Sequence, residues 1–339
     1  MINRSIVDKK NILVTGGAGF LGSHLCEALV NDAHVICLDN FSTSHVSNIQ
    51  HLLQHPNFEF INHDITQPFQ LVDFPELEQF HVGLQGVQEI YHLACPISKL
   101  HFDDFKIASI LTSSIGTKNV LDVAVASQAK VLYASSSVLY GPRREGQVYA
   151  SETDPCMLDH LTPFGAYDEG KRFSEAILYT YADVYRLDMN IARIFRTYGP
   201  RMKIHDGNLI PEMITNAFDG TDVALSCGEM DKMSLCYVTD IIDGLIKYMH
   251  VGTGVSVMNL GSDQEHLSID VARMIVQIAE SSSRIHCASG TSMDTQPPLP
   301  DIGRARQQLR WLPLVQLEQG LTYTIQDARS RRAQSHAFG

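Results

Sequence analysis

The chain has 339 residues, enough for one large core or for a unit made of two lobes, and its contents of 44% hydrophobic and 19% charged residues are ordinary for a soluble globular protein. Its formal net charge of −12 argues against nucleic-acid binding, because such proteins usually carry a basic surface. No signal peptide and no run near the ~20 apolar residues of a membrane span is recognisable, so we expect a cytoplasmic protein that does not enter membranes.

The cysteines and histidines predict neither disulfide bonds nor a metal site. The seven cysteines are scattered, odd in number and never spaced as Cys-x-x-Cys, which is typical of reduced thiols. His51 and His55 have the i,i+4 spacing of a helical metal pair, but Pro56 follows them directly. The glutamate of a His-Glu-x-x-His motif is missing, so we expect no bound metal.

A dinucleotide-binding strand, turn and helix are written near the start of the chain. The apolar run NILVT leads into Gly16, Gly19 and Gly22, and helical apolar spacing follows. Glycines at this spacing let the backbone turn tightly, approach a pyrophosphate and pack the helix against the strand. The next predicted strand, HVICL, ends in Asp39, whose carboxylate can bind ribose hydroxyls and would repel a 2′-phosphate. The pattern therefore favours NAD over NADP.

Further predicted strands alternate with helical runs. FEFI (58–61), EIYHL (89–93) and KVLYA (130–134) are short and apolar. This alternation predicts right-handed βαβ units and a Rossmann-like, doubly wound α/β fold with a parallel sheet. Ligand groups then collect at the carboxyl ends of the strands. The cofactor-binding candidates are Gly16, Gly19, Phe20, Leu21, Gly22, Asp39, Asn40, Asp64, Ile65, Leu93, Ala94, Tyr167 and Lys171.

Tyr167 and Lys171 are candidate catalytic residues, because residues four apart share one face of a helix. An ammonium beside a phenol favours the phenolate, so we expect Tyr167 to act as a base well below its ordinary pKa of ~10. Ser136, after the fifth strand, can hydrogen-bond the same substrate oxygen. This set removes a proton from an alcohol while a bound cofactor accepts a hydride. The same spacing is common on solvated helices, and the dinucleotide motif is what favours catalysis here.

Two lobes are expected. An NAD-binding domain spans residues 1–190, with strands around 234–258 returning to it, and a smaller substrate-binding lobe spans 191–330. Residues 141–166, rich in proline, glycine and polar groups, predict a loop over the site. The tail at 331–339 is expected to be disordered.

Together, these glycines, Asp39, the strand-end serines and the Tyr167/Lys171 pair resemble the extended short-chain dehydrogenase/reductase superfamily, the NAD-dependent epimerases and dehydratases. Three stretches resemble UDP-glucuronate decarboxylases (UDP-xylose synthases) in particular. These are HLACPIS (92–98), AYDEGKR (166–172) and ARIFRTYGPRM (192–202).

The resemblance implies a reaction and a set of substrate contacts. Tyr167 would deprotonate the sugar C4 hydroxyl while NAD takes the hydride, CO2 would leave from the carboxylate β to the new ketone, and the hydride would return. Ser136 and the Tyr167 hydroxyl would stabilise the enolate. The substrate would be a nucleotide sugar, UDP-linked by resemblance. Its implied contacts are Pro96, Ser98, Ser137, Arg196, Arg201 and Asn208.

The resemblance also implies a homodimer. The helices near 103–126 and 167–185 would pair across a two-fold axis as a four-helix bundle.

Several positions depart from the decarboxylase pattern. Val138 stands where the decarboxylases have an active-site glutamate, and valine cannot transfer a proton. Loss of CO2 from a β-keto acid does not strictly need that acid, whereas a dehydratase does need an acid and a base there. Met233 replaces an arginine, Arg196 replaces an asparagine, and a second arginine is lost within 297–299, which changes the expected diphosphate pocket.

Three functions therefore stay open at this point. The first is decarboxylation. The second is 4-epimerisation or release of a 4-keto product, which Val138 and the epimerase-like stretch from Asn208 to Pro211 favour. The third is a non-catalytic NAD-binding protein, which the intact Ser136, Tyr167 and Lys171 disfavour.

Three further residues have structural interpretations. Cys95 is interpreted as a small filler beside the nicotinamide, His92 as a hydrogen-bonded strand residue, and Arg172 as a solvated or ion-paired helix residue.

Overall fold

The computed structural model describes residues 9–98, 100–204, 206–225, 231–287 and 297–338, with side chains up to residue 333. The strands are β1 (Asn11–Thr15), β2 (His34–Asp39), β3 (Phe58–Asn62), β4 (Glu89–His92), β5 (Lys130–Ser136), β6 (Tyr149–Ala150), β7 (Met189–Ile194), β8 (Thr197–Tyr198), β9 (Val223–Leu225), β10 (Lys232–Ser234), β11 (Cys236–Tyr237), β12 (Val255–Leu260), β13 (Glu265–Leu267), β14 (Ile285–Cys287) and β15 (Leu299–Pro300). The helices are α1 (Phe20–Leu29), α2 (Val82–Gln85), α3 (Phe102–Leu111), α4 (Thr117–Ser127), α5 (Gly165–Tyr185), α6 (Leu209–Asp219), α7 (Val238–Met249), α8 (Ser268–Ile278), α9 (Gly303–Leu309) and α10 (Leu317–Phe338). A π-helical turn at Thr112–Gly116 joins α3 to α4.

Seven parallel strands form the central sheet, in the order β12-β7-β5-β4-β1-β2-β3. All five positions of β1 are buried, as expected for a parallel strand covered by helices on both faces. The strand order runs outward in both directions from the β1–β4 pair. This reversal is the switch point beside which α/β sheets bind ligands, at the carboxyl ends of the strands. The predicted doubly wound, Rossmann-like fold is confirmed.

Alternate residues of each strand face two different helical layers. Val14 and Val35 belong to a core that includes residues of α1 and α7. Leu13 and Ile36 point the other way, into a core that includes residues of α4 and α5. The period-two alternation of a strand thus supplies both layers from the same short apolar runs.

The chain passes to a second lobe and then returns to the sheet. Helices α6, α8 and α10 pack together there, beside the small sheets β10–β13 and β9–β14. β12 returns to the central sheet and pairs with β7, whereas β10 and β11 pair with β13 and β8 outside that sheet. β7 pairs with both β5 and β12 as far as Ile194, so the expected boundary at residue 190 falls inside a strand.

The C-terminal helix α10 extends through Phe338, whereas the sequence predicted a disordered tail from residue 331. Arg331 pairs with Asp327 one turn earlier at 3.0 Å, and Arg332 pairs with Asp219 on α6 at 2.7 Å. These ion pairs attach residues 331 and 332 to the second lobe. Ion pairs leave no apolar pattern in the sequence from which this attachment could be predicted. Within the ranges described above, no helix has both the length and the apolar character to cross a bilayer.

A buried ion pair joins α5 to the end of the sheet. Arg193 on β7 donates from Nε and Nη2 to the two carboxylate oxygens of Glu175 on α5, at 3.0 and 2.8 Å. The Ser135 hydroxyl donates to the same carboxylate at 2.6 Å. Only 7% of the Arg193 side chain and 13% of the Glu175 side chain are exposed. The pair therefore fixes the end of β5 next to Ser136.

Removing one partner of this pair should destabilise the protein strongly, because it leaves the other charge buried. We expect Glu175→Ala to lower the free energy of unfolding by about 3–5 kcal/mol. Asp183→Asn is the matched control on the same helix, since its ion pair with Arg186 is exposed, and it should cost no more than ~1 kcal/mol. Urea unfolding of both variants measures the difference. Equal losses in the two variants would contradict the proposed role.

Candidate active site

A cleft of about 900 Å³ opens at the carboxyl ends of the central strands. Its wall includes every residue predicted to bind the cofactor, from the glycine turn to Ala94, and all three predicted catalytic residues. Several residues that follow β7 also line it, among them Phe195, Thr197 and Met202. The cleft therefore lies between the sheet and the chain that leads into the second lobe. In the described part of the chain, no cluster of metal-ligating side chains is present.

The packing of this turn requires glycine at positions 16 and 22. Gly16 has a φ of +71°, and a Cβ there would lie 2.8 Å from the Ala94 backbone. A Cβ on Gly22 would lie 2.1 Å from the Gly16 carbonyl oxygen. Gly19 provides the N-cap of α1 without a side chain, so the first-turn N–H groups of the helix face the cleft uncovered. Such a turn fits the pyrophosphate of a dinucleotide.

Asp39 has a structural role besides the predicted contact with ribose. Its buried carboxylate accepts hydrogen bonds from the Ala18 N–H at 3.0 Å, the Phe41 N–H at 2.9 Å and the Ser44 hydroxyl at 2.7 Å. These bonds join the glycine turn to the loop after β2. Because Asp39 also lines the cleft, its carboxylate is in place to accept hydrogen bonds from ribose hydroxyls. This acceptor fits the adenosine ribose of NAD.

Tyr167, Lys171 and Ser136 lie together in the wall of the same cleft. Lys171 is buried and donates to the Ala134 carbonyl oxygen at 2.7 Å, with its Nζ 5.7 Å from the centre of the Tyr167 ring. Burial raises the pKa of Tyr167 to about 12, against the opposite effects of the Lys171 charge and a hydrogen bond with Ser136. The predicted lowering of the Tyr167 pKa was wrong for the protein without cofactor, because desolvation of the phenolate outweighs the stabilising charge of the Lys171 ammonium.

Cys95 and His92 follow the structural interpretation. Cys95 lines the cleft, with its sulfur 3.8 and 3.7 Å from the hydroxyls of Ser109 and Ser113. The buried His92 ring lies 2.7 Å from the Thr15 hydroxyl and 3.1 Å from the Thr117 hydroxyl. Burial lowers the pKa of His92 to about 3, so the ring is neutral and cross-links β1, β4 and α4.

The six predicted substrate contacts divide into two groups. Pro96, Arg201 and Asn208 line the cleft. Among the described residues of its wall, Ser98, Ser137 and Arg196 are not included. Ser98 is 1% exposed, accepts a hydrogen bond from the His101 N–H at 3.2 Å and also hydrogen-bonds the Asp206 carboxyl, so it lies directly behind the wall of the cleft.

The departures from the decarboxylase pattern also have defined positions. Arg196 is exposed and is not part of the cleft wall. Met233 is 5% exposed and belongs to the main hydrophobic core. Val138 is half-buried in a 3₁₀ turn, Ser137–Tyr140, directly after β5.

Arg172 lies on the surface of α5 and pairs with Glu169 at 2.6 Å, as an ion-paired helix residue should.

Several cleft residues were missed in the sequence. Asp206 and Lys203 follow the RTYGPRM stretch, and charged residues at that position were the available signal. Asp206 is 6% exposed, burial raises its pKa, and it accepts a hydrogen bond from the Asn208 amide at 3.1 Å. Arg331 reaches the cleft from α10, and no local motif marks it.

Comparison with known proteins agrees with this geometry. Residues 12–261 match the NAD dependent epimerase/dehydratase family. UDP-glucuronic acid decarboxylase 1 of Xenopus tropicalis is 37% identical over 322 residues, which cover 94% of this chain and 72% of that protein. An epimerase from Methanothermobacter thermautotrophicus has a TM-score of 0.82 at 26% identity, covering 97% of this chain and 94% of the other.

A second solved structure concerns a related reaction. The Y149F mutant of UDP-glucuronic acid 4-epimerase from Bacillus cereus, in complex with UDP-4-deoxy-4-fluoro-glucuronic acid and NAD, has a TM-score of 0.78 at 25% identity. The match covers 95% of this chain and 99% of that one. The glycine turn, the ribose-facing carboxylate and the Ser-Tyr-Lys set thus occur in a chain similar to decarboxylases and epimerases alike. This chain belongs to the NAD-dependent epimerase/dehydratase family and is an NAD-dependent enzyme of that class.

Proposed function

We propose that the enzyme acts on UDP-glucuronate, oxidises its C4 hydroxyl and releases CO2 to give a UDP-pentose. The observation that carries the proposal is the meeting of Ser136, Tyr167 and Lys171 in one cleft with the dinucleotide turn. The 37% identity to a UDP-glucuronic acid decarboxylase over 94% of the chain supports this substrate.

Tyr167 begins and ends the reaction cycle in the same protonation state. Its phenolate would take the C4 hydroxyl proton as the hydride leaves C4. NAD, held by the glycine turn and Asp39, would supply the hydride acceptor and later the donor. The C5–C6 bond then breaks to release CO2, and its electrons move onto the C4 oxygen as an enolate. Ser136 and the protonated Tyr167 donate hydrogen bonds to that oxygen. A proton is added at C5, and Tyr167 returns its proton to the C4 oxygen on reduction.

The charge of Lys171 is needed because burial raises the pKa of Tyr167 to about 12. Below its pKa, the fraction of phenolate rises tenfold for each pH unit, so C4 oxidation should become faster as the pH rises. Lys171 acts against desolvation and extends this activity to lower pH.

The variant Lys171→Met should move the pH profile of C4 oxidation to higher pH, since the phenolate loses its stabilising charge. Tyr167→Phe should slow the step about 10²–10⁴-fold while still binding NAD. Single-turnover formation of reduced cofactor at saturating NAD, followed by its absorbance across the pH range, measures both effects. A profile unchanged in Lys171→Met would exclude the proposed role for the ammonium.

A second candidate function is 4-epimerisation of the same substrate. Val138 lies at the turn after β5 and offers no acid, and a solved UDP-glucuronic acid 4-epimerase shares the fold. In an epimerase the C4 ketone is reduced from the opposite face and the C6 carboxylate stays on the sugar. Product mass separates the two reactions.

Incubation with NAD and UDP-glucuronate should give a UDP-pentose and CO2, identified by mass spectrometry. Val138→Glu should raise the rate of CO2 release about tenfold or more, because it adds an acid–base group beside Ser136. Val138→Gln is the control of equal size without a titratable group, and it should not raise the rate. A product of unchanged mass with inverted C4 would establish the epimerase instead, and no turnover would contradict both.

We further propose that the enzyme is a homodimer formed by α3 and α5. These helices pack against each other, and a Cβ on Gly170 of α5 would lie 2.8 Å from the hydroxyl of Ser113, in the π-helical turn that follows α3. Their outer faces expose large apolar side chains, including Ile107 (72%), Tyr179 (65%) and Val184 (62%). An apolar surface over two adjacent helices favours a second copy of the same surface as its partner.

Ile107→Glu should convert the dimer to a monomer, because it buries a charge in an apolar interface. Size-exclusion chromatography with light scattering measures the mass. Leu84→Glu is the control, since Leu84 is 91% exposed on α2, away from α3 and α5. A wild-type protein that is monomeric at micromolar concentration would rule out the dimer.

We also propose a cytoplasmic location. Among the cysteines whose side chains the structure describes, five are free thiols, which supports this location: Cys26, Cys37, Cys95, Cys156 and Cys236.

A further inference from the structure

Arg331 brings the C-terminal helix into the wall of the cofactor cleft. The cleft that contains Gly19 and Asp39 also contains Arg331, although this residue lies in α10, at the far end of the chain. The sequence assigns α10 to the second lobe or to a tail. A role in the substrate lobe therefore does not explain why Arg331 lines the cofactor cleft.

The guanidinium of Arg331 is held in place from two sides. Nη1 donates to the Asn48 side-chain oxygen at 3.2 Å, and Nε pairs with Asp327 at 3.0 Å. The Asn48 amide nitrogen in turn donates to the Ala18 carbonyl oxygen at 2.9 Å. Ala18 belongs to the glycine turn itself. Arg331 is thus connected through one side chain to the loop that faces the pyrophosphate.

A second arginine reaches the same place. The Arg201 N–H donates to Asp327 Oδ2 at 2.9 Å, the same oxygen that accepts from Arg331. The Arg201 guanidinium pairs with Glu27 on α1, and its Nη1 is a buried donor without a hydrogen-bond partner among the described residues. Asp327 thus binds the Arg331 guanidinium and the backbone N–H of Arg201, so that both arginines lie in the cleft wall, in a protein whose formal net charge is −12.

We propose that Arg331 binds the pyrophosphate of the dinucleotide, so that the C-terminal helix forms part of the cofactor site. A planar guanidinium fork matches phosphate oxygens and gives charge-assisted hydrogen bonds. The link through Asn48 to Ala18 places Arg331 by the glycine turn, whereas the cofactor-binding candidates Asp64 and Ile65 follow β3. The proposal concerns the cofactor and is independent of the sugar reaction.

The test measures nucleotide affinity of the full-length protein, freed of bound nucleotide, by isothermal titration calorimetry. Arg331→Ala should raise the Kd for NAD and for ADP-ribose about tenfold, because one charge-assisted contact is lost. Its Kd for adenosine, which carries no phosphate, should not change. The difference between the variant and the wild type should shrink at high salt.

The chain offers a matched control in the next residue. Arg332 pairs with Asp219 at 2.7 Å and is not part of the cleft wall, so Arg332→Ala should leave NAD affinity unchanged. Arg331→Gln removes the charge while it can still donate to Asn48, which guards against loss of the helix end, and it should weaken NAD binding as Arg331→Ala does. Unchanged NAD affinity in both Arg331 variants would overturn the proposal. Equal weakening in Arg332→Ala, or weaker adenosine binding, would also overturn it.

Discussion

The close approach of the Gly16, Gly22 and Ala94 backbones is the constraint on which the site depends. This contact leaves no space for a side chain at either glycine, so β1, β4 and the start of α1 converge within a few ångströms. The convergence opens the cleft at the sheet's switch point and aims the uncovered N–H groups of α1 into it. Asp39 then ties the turn to the next loop through three hydrogen bonds. The cofactor half of the site follows from backbone packing alone.

The catalytic half depends on burial and on a charge network behind the serines. Lys171 donates to the Ala134 carbonyl, and the Arg193–Glu175 pair holds Ser135, so the two residues before Ser136 are anchored by buried polar groups. Such burial raises the pKa of the phenol that must lose a proton. The site therefore relies on positive charge near Tyr167 to recover a usable base, and Lys171 is the part of that charge which the chain itself supplies.

The sequence predicted what is local and periodic. Buried parallel strands are short apolar runs, and the glycine spacing is dictated by sterics, so the sheet and the cofactor residues could be read directly. Other features depend on distant parts of the chain. Ser98 is buried and accepts a hydrogen bond from the His101 N–H, Arg196 is exposed, and Arg331 is placed by an ion pair and a hydrogen bond beyond the buried apolar residues of α10. Burial, which decided the direction of the Tyr167 pKa, is likewise a tertiary property.

The return of β12 to the sheet has a consequence for the protein during synthesis. β7 has β5 as a neighbour early, but its other edge is covered only by β12, some sixty residues later in the chain. A nascent chain that has emerged from the ribosome past β7 but not yet as far as β12 therefore exposes an apolar strand whose N–H and carbonyl groups are unpaired along one edge. Such an edge pairs readily with other chains. Nascent molecules on one messenger would be most vulnerable to mutual aggregation during this interval, and chaperone protection would matter most then.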